Sequence, residues 1–298
     1  MLILVNERKL HGRRHRFYLD VLEGLTALGH TLIHQEVTPS AGPIAMAGSS
    51  GSFQQVVIAG GDGTINRVLQ NWDAPRIPLA IIPLGTCNLV AKECGYPGDV
   101  DGVVRIIAAN HHKPFWVAKA NGEVCAIATG CGIDSFVLDS ISWRWKRRLG
   151  RVYMAWKSCI GVLRYRATRF DVTVDGSPVR GSSVCVLKGL YYAGPFSFTR
   201  DASLFDPCLY SVINENDSAW SQLRAVVAMF TRDTRRLGEI LTIRPAREVE
   251  INGPAGFPVQ VDGDVRLRTP VRIVVNDEPF LMCVPQDSSR PVSEASHA

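Results

Sequence analysis

The stretch Val56–Asn66, VVIAGGDGTIN, constrains the fold of this chain more than any other part of the sequence. Its apolar start predicts a buried strand, which leads straight into Gly60, Gly61 and Gly63 and then into a helix near Ile65–Leu69. Glycine lets the backbone approach a ligand closely, and the amides at a helix start point toward a bound anion. The pattern is typical of a phosphate-binding turn in an α/β fold, although such turns also occur without a ligand.

A second stretch, Ile77–Asn88 (IPLAIIPLGTCN), repeats the pattern. The predicted strand Ile77–Ile82 enters the turn Pro83–Thr86, and Asn88 stands at the start of a helix. Because neighbouring parallel strands end at the same edge of a sheet, the two turns should face one crevice, which predicts a nucleotide or phosphate site. Neither turn has the Lys-Ser or Lys-Thr of a Walker loop or the spacing of a GxGxxG fingerprint.

The chain is predicted to form two domains. Residues 1–115 alternate strand and helix patterns, which predicts an α/β nucleotide-binding domain. Residues 116–285 contain many short β-rich runs with turns such as Asp175-Gly176 and Asp262-Gly263, which predicts a mostly antiparallel β-sandwich. The polar residues 286–298 are predicted to be a disordered tail.

The positive charge is concentrated in one segment. The net charge is +5, from 33 basic and 28 acidic side chains, yet nine basic residues and no acid lie between Ser140 and Phe170. Trp143, Trp145 and Trp156 lie among them, and residues 143–169 are called the basic aromatic segment below. Cations mixed with Trp and Tyr suit anionic phospholipid at a membrane surface, and they also suit nucleic acid or a solvated helix. Nucleic acid is the weakest alternative, because no nucleic-acid-binding motif accompanies the cluster.

Other sequence features indicate the cellular compartment in which the protein is expected. The eight cysteines form no CxxC pair, which favours reduced thiols over a zinc site or a disulfide framework. No uncharged apolar run reaches the about 18 residues of a membrane-spanning helix. The N-terminal sequence MLILVNERKLHGRR becomes charged too early for a secretory signal. We therefore expect a cytoplasmic protein that is peripheral on the membrane. The oligomeric state is left open, a homodimer included.

The pair GGDGT and PLGTxN, at Gly60–Thr64 and Pro83–Asn88, resembles the diacylglycerol kinase catalytic domain family, which includes bacterial lipid kinases and the sphingosine and ceramide kinases. The resemblance extends over most of the chain and implies an NAD kinase/diacylglycerol kinase-like first domain. The further segments that resemble the family are Thr38, Gly130–Asp134, Tyr191–Gly194, Asp206–Leu209 and Gln260–Asp264.

This resemblance implies an ATP-dependent lipid kinase with Mg²⁺, whose nucleotide is held by the two turns at an interdomain cleft. The expected reaction moves the γ-phosphoryl group of ATP to the hydroxyl of a membrane lipid, diacylglycerol by default. A sphingoid base or ceramide is the alternative acceptor. An NAD kinase-like enzyme and a nucleotide-binding module without turnover are further alternatives, since GGDGT also occurs in NAD kinases. The last strand, within Val271–Val284, is expected to return to the first domain.

The resemblance also assigns residues to roles. Asp262 is the predicted base, and Asp264 is predicted to serve in catalysis or as a metal ligand together with Asp206. The alternative for Asp262 is a hairpin turn in which aspartate is favoured for its local side-chain bonds. The predicted nucleotide-binding residues are Asn6, Thr38, Gly60, Gly61, Asp62, Gly63, Thr64, Asn66, Gly85, Thr86 and Asn88.

The sequence departs from the family pattern at three places. The first strand of the family ends in Asn-Pro-x-Ser-Gly, whereas residues 6–12 read NERKLHG and keep only Asn6. Arg8 or Lys9 would reach a phosphate from this loop, or the loop is simply solvated. Pro207 replaces a glycine, which removes a backbone donor. Asp264 replaces a glutamate and is one methylene shorter, so a metal contact there must shift or pass through water.

Overall fold

A computed structural model describes residues 1–37, 53–72, 74, 76–141, 165, 168–194, 196–230 and 234–286. Thr38, the predicted loop 39–52, nearly all of the basic aromatic segment and the tail after Gln286 lie outside the described residues. The chain divides into two compact units, one of Met1–Trp116 with Asp277–Ala298 and one of Val117–Asn276.

The strands and helices are numbered in chain order. The strands are β1 Leu2–Val5, β2 Ile33–Glu36, β3 Val56–Gly60, β4 Leu79–Pro83, β5 His112–Phe115, β6 Ala118–Ala120, β7 Glu123–Cys125, β8 Ala128–Cys131, β9 Phe170–Val174, β10 Ser177–Gly181, β11 Ser183–Leu187, β12 Leu209–Asn214, β13 Thr242–Ala246, β14 Glu248–Asn252, β15 Pro258–Val261, β16 Asp264–Arg268, β17 Val271–Val275 and β18 Phe280–Cys283. The α-helices are α1 Arg13–Ala27, α2 Asp62–Gln70, α3 Leu89–Glu93, α4 Val100–Ala109, α5 Ile133–Asp139, α6 Ala219–Phe230 and α7 Thr234–Ile240.

The first unit is built on a six-stranded sheet in the order β2-β1-β3-β4-β18-β5. Neighbouring strands from β2 to β18 are parallel, and β5 runs antiparallel to β18. The strand order reverses at β1, because β2 lies on one side of it and β3 on the other. In an open α/β sheet, ligands bind outside the carboxyl ends of the strands at such a reversal. The turns that follow β1 and β3 therefore occupy the expected ligand-binding edge.

The helices of the first unit follow their apolar and capping residues. Tyr18, Val21 and Leu25 form the buried face of α1. A Cβ on Gly24 would lie 2.9 Å from a methyl carbon of Val104, so glycine permits the close packing of α1 on α4. Asp99 caps α4, since its Oδ1 accepts a hydrogen bond from the amide of Gly102 at 2.7 Å.

The second unit is a β-sandwich, which confirms the predicted fold class. One sheet has the order β10-β9-β14-β17-β6-β7 and the other β13-β12-β11-β8-β15-β16. All pairings in both sheets are antiparallel. Side chains of both sheets meet in one core, which includes Phe170, Ile251 and Ile273 from the first sheet and Val186 and Val259 from the second. Burial of these apolar side chains is the main force that holds the two sheets together.

Three hairpins of the sandwich close with the same kind of two-residue turn. The turns are Asn121-Gly122, Asp175-Gly176 and Asp262-Gly263, and both residues of each have positive φ. Positive φ at both positions gives the turn the twist of the strands that it joins, and Asn-Gly and Asp-Gly are the sequences that adopt it most easily. The last two turns are those that the sequence predicts.

Among the described residues, no helix is both long and apolar enough to cross a membrane.

Candidate active site

The two glycine turns of the first unit interlock. A Cβ on Gly61 would lie 2.8 Å from the Cα of Gly85, and a Cβ on Gly85 would lie 2.7 Å from the Cα of Gly61. The amide of Leu84 also donates to the carbonyl of Gly60 at 2.8 Å. Any side chain at Gly61 or Gly85 would force the two backbones apart. The sequence predicts two turns at one edge, and the structure places their backbones in direct contact.

The side chain of Asn88 braces the second turn from within, and the side chain of Asp62 ties the first turn to the helix that follows the second. Asn88 has a φ of 49° and accepts a hydrogen bond from the amide of Gly85 at 2.7 Å through its Oδ1. Its Nδ2 donates to the carbonyl of Gly85 at 3.3 Å. Asp62 accepts from the amide of Val90 at 3.0 Å, at the start of α3. Both predicted nucleotide-binding side chains therefore hold the site together from within.

Asn6 and Thr64 support the first glycine turn, and Asn66 is buried beside Thr64 in the same helix. Thr64 and Asn66 are buried, with 3% and 2% of their surface exposed. The Nδ2 of Asn6 donates to the Oγ1 of Thr64 at 3.1 Å, which ties the end of β1 to α2. In contrast, Gly63 is exposed, and a Cβ on it would meet no atom within 4 Å. The open surface of this edge therefore includes backbone at Gly63 and the exposed Thr86.

A cation borders this edge that the sequence analysis did not single out. Arg14 is half-buried at the start of α1, and its Nη2 donates to the Oγ1 of Thr86 at 3.3 Å. Arg8 and Lys9, which the sequence suggested instead, lie exposed in the single 3₁₀ turn Glu7–Lys9. No pattern in the sequence separates Arg14 from the adjacent arginines, because the choice depends on how α1 is rotated against the sheet.

In the second unit, Asp262 is held by backbone amides. Its Oδ1 accepts hydrogen bonds from Ile127 at 2.9 Å and Ala128 at 2.8 Å, and its Oδ2 accepts from Ala126 at 2.9 Å. The other two hairpin turns share this feature. Asp175 accepts from the amides of two residues of the neighbouring strand region at 2.9 and 3.0 Å, and Asn121 accepts from one at 2.9 Å. These hydrogen bonds between the turn side chain and backbone amides are therefore a property of the hairpin turn. They do not by themselves support the predicted catalytic role of Asp262.

A buried lysine links the turn of Asp262 to the loop of Asp206. The carbonyl of Ile127 accepts hydrogen bonds from the amides of Lys188 at 2.8 Å and Gly189 at 3.0 Å. The side chain of Lys188 has 0% of its surface exposed, and its Nζ donates to the carbonyl of Asp206 at 2.9 Å. The two loops thus form one hydrogen-bonded assembly. The sequence analysis missed Lys188, and the available signal is a lysine directly after the apolar strand β11.

Asp206 and Asp264 are both exposed. The Oδ2 of Asp264 lies 3.8 Å from the Nη2 of Arg266. Within the described part of the chain, no three His, Cys, Asp or Glu side chains are grouped closely enough to hold a metal ion. Mg²⁺ commonly binds one or two carboxylates together with substrate phosphates and water. Asp206 and Asp264 are exposed carboxylates, the kind of ligand that this mode of binding uses.

Asp134 forms a second buried polar cluster that was predicted only as part of a family-like segment. Its Oδ2 accepts hydrogen bonds from the hydroxyl of Tyr192 at 2.7 Å and from the Nε2 of Gln260 at 3.3 Å. Burial raises the pKa of the Asp134 carboxyl above its usual 3.8. Burial and the nearby Asp134 also raise the pKa of Tyr192. The cluster therefore brings together a carboxyl, a phenol and an amide, which are groups that can hydrogen-bond a hydroxyl or carbonyl group.

Comparison with known proteins shows which proteins this chain resembles. The sequence model of the diacylglycerol kinase catalytic domain matches residues 1–120. A diacylglycerol kinase of Mycobacterium tuberculosis is 29% identical over 232 residues, covering 73% of this chain and 72% of the relative. A diacylglycerol kinase of Staphylococcus haemolyticus is 24% identical over 250 residues, covering 79% and 72%. A crystal structure of a diacylglycerol kinase from Bacillus anthracis has a TM-score of 0.75 at 24% identity, covers 96% of both chains and shares the fold. Residues 1–120 of this chain are therefore similar to the diacylglycerol kinase catalytic domain, and the chain shares its fold with a solved diacylglycerol kinase structure.

Proposed function

We propose that this chain is a lipid kinase that transfers the γ-phosphoryl group of ATP to the hydroxyl of a membrane lipid, with diacylglycerol as the acceptor. The observation that carries the proposal is the pair of interlocked glycine turns at the ligand-binding edge of the first sheet. The names of the relatives in Mycobacterium and Staphylococcus support diacylglycerol as the acceptor.

The nucleotide side of the reaction depends on backbone rather than on side chains. The amide at Gly63 lies at the start of α2, where the helix carries partial positive charge, and its surroundings are open. Thr86 adds an exposed hydroxyl from the second turn. Asp62 ties the first turn to the helix after the second, and Asn88 fixes the shape of the second turn, so that these donors are already in position when the phosphates bind.

The acceptor side is assigned to the second unit. Asp262 is the proposed acceptor of the hydroxyl proton, and its three amide donors fix the orientation of its carboxylate. Asp206 and Asp264 are the proposed ligands of Mg²⁺, which when bound offsets the charge that develops on the transferred phosphoryl group. The Asp134 cluster is a candidate for holding the lipid headgroup, because it places a buried carboxyl beside the hydroxyl of Tyr192 and the amide of Gln260.

The phosphoryl transfer is proposed to take place at a membrane surface. A lipid kinase must reach a substrate that stays in a bilayer, and the basic aromatic segment supplies nine cations together with several tryptophans. This segment is proposed to contact anionic phospholipid, while the enzyme remains peripheral to the membrane.

The experiment is transfer of labelled phosphate from ATP with Mg²⁺ into a panel of micellar lipids. The panel contains diacylglycerol, ceramide, sphingosine, monoacylglycerol and polyprenol, with NAD as the soluble control. We expect label in diacylglycerol. Label in ceramide or sphingosine would change the acceptor, and label in NAD would replace the lipid-kinase proposal. If no acceptor is labelled while ATP still raises the melting temperature, the chain is a nucleotide-binding module without turnover.

A further inference from the structure

The loop after β1 has lost the Asn-Pro-x-Ser-Gly sequence of the family, yet it lies at the ligand-binding edge of the sheet. Only Asn6 is kept, and its side chain is used to support Thr64. The residues that follow form the 3₁₀ turn Glu7–Lys9, whose two cations are exposed. If phosphates bind at this edge, other groups must supply the contacts that the lost loop would have made.

Arg14 is placed to supply one of these contacts. Of the three arginines at the start of α1, Arg13 and Arg16 are exposed, whereas Arg14 is half-buried. Its Nη2 donates to the Oγ1 of Thr86 at 3.3 Å, which holds the guanidinium beside the second glycine turn. The side chain therefore spans from the helix after β1 to the turn after β4.

The charge of Arg14 is not neutralised within the described residues. The ion pairs found there do not involve Arg14. The first turn of α1 also contains no acidic residue. A guanidinium has five N–H donors, and the contact with Thr86 uses one nitrogen only. Arginine can therefore bind a phosphate with two parallel hydrogen bonds while it keeps its contact with the turn.

We infer that Arg14 binds the phosphate groups of the nucleotide, in place of the contacts that the family loop would provide. This inference rests on the proposed function, because it takes ATP as the ligand of the two glycine turns. Thr86 acts as the positioning residue that keeps the guanidinium at the turn.

The test is isothermal titration of the full-length protein with ATP, ADP and adenosine at fixed ionic strength. Arg14→Gln, Arg14→Lys and the control Arg16→Gln are compared with the wild type. The control removes the same charge from an exposed position two residues away. We expect Arg14→Gln to weaken ATP and ADP binding about tenfold or more and to leave adenosine binding unchanged, since charge-assisted hydrogen bonds are lost. Arg14→Lys should recover part of the affinity.

The remaining outcomes distinguish failure of the inference about Arg14 from failure of the proposed function. If the wild type binds ATP and Arg14→Gln binds it equally well, or if Arg16→Gln loses as much affinity as Arg14→Gln, the inference about Arg14 is wrong and the proposed function is untouched. If the folded wild type binds no ATP, both fail together. Inorganic tripolyphosphate, used as a competitor, should displace ATP from the wild type more effectively than from Arg14→Gln. Melting curves of all variants check that each protein is folded.

Discussion

Asn121, Asp175 and Asp262 use one side-chain oxygen in the same way. Each begins a two-residue turn at positive φ and accepts hydrogen bonds from backbone amides outside its own hairpin. Asparagine and aspartate tolerate this backbone conformation better than other non-glycine residues. These hydrogen bonds stabilise the sandwich, and they do not by themselves identify a catalytic residue. Because Asp175 occupies the same kind of turn as Asp262, it supplies a control for the role of Asp262.

We predict that Asp262→Asn and Asp175→Asn both fold and have different effects on turnover. Asparagine keeps one side-chain oxygen that accepts amide hydrogen bonds, and its backbone tolerates positive φ. Both variants should therefore fold. Loss of a general base lowers kcat about a hundredfold or more, and Asp175→Asn should leave kcat unchanged. Melting curves and initial rates with the acceptor lipid measure the two effects. Full turnover in folded Asp262→Asn would remove Asp262 from the mechanism.

The buried Asp134 carboxyl should make stability depend on pH. Its pKa is raised above 3.8 in the folded protein by burial, while the unfolded chain has the ordinary value. The folded protein therefore holds the proton where the unfolded chain has lost it, so that the free energy of unfolding falls as pH rises from about 3.8 toward the folded pKa. Asp134→Asn removes this titration.

The difference in melting temperature between Asp134→Asn and the wild type should thus increase with pH through this range and then level off. Thermal melts at half-unit steps of pH measure it. Asp20→Asn, which removes an exposed carboxyl from α1, is the matched control. A difference that stays constant with pH for Asp134→Asn would show that the carboxyl does not retain its proton in the folded protein.

The two glycine turns act as one element, because the close approach of Gly61 and Gly85 fixes where the ends of β3 and β4 can lie. Gly61→Ala places a Cβ 2.8 Å from the backbone of Gly85, so we predict a loss of about 2 kcal/mol of stability together with nucleotide affinity. Gly63→Ala introduces the same methyl group where no atom lies within 4 Å. This variant should keep its stability, because alanine favours the helix, and should lose affinity for ATP.

Denaturant melts and ATP titrations separate the two effects of these glycine variants. Equal stability for Gly61→Ala and the wild type would mean that the turns can move apart without cost. Unchanged ATP affinity for folded Gly63→Ala would mean that phosphates do not approach the backbone at the start of α2.

Local sequence patterns predict the elements well and their contacts less well. The Asp-Gly turns at Asp175 and Asp262 depend on neighbouring residues, and both are found where the sequence predicts them. The bonds from Asp62 to Val90 and from Lys188 to the carbonyl of Asp206 join segments that are distant in sequence. Periodicity carries no information on such pairings. The side chains of Asn88 and Thr64 were predicted to face a ligand, and only the structure shows that they are used in internal hydrogen bonds.

At the scale of the whole chain, the sheet of the first unit is completed by the last described strand. β18 lies between β4 and β5, and the sulfur of Cys283 accepts a hydrogen bond from the Nε2 of Gln55 at 3.1 Å. Residues 277–283 therefore complete a sheet that begins with residue 2, although the second unit separates them in sequence. Such long-range pairing explains why the strand pattern of this region alone does not show which sheet it joins.

The uneven charge of the whole chain leads to the last prediction. Without the nine basic residues between Ser140 and Phe170, the chain has 24 basic and 28 acidic side chains, so binding to anionic lipid should depend on that segment. We predict that the protein sediments with vesicles containing phosphatidylserine, that binding falls as salt rises, and that replacing Arg144, Lys146, Arg147 and Arg148 with Gln weakens binding about tenfold or more. The matched control replaces four exposed arginines elsewhere, Arg16, Arg105, Arg235 and Arg236, with Gln. Equal losses in both variants would show that total charge, rather than the basic aromatic segment, directs the protein to the membrane.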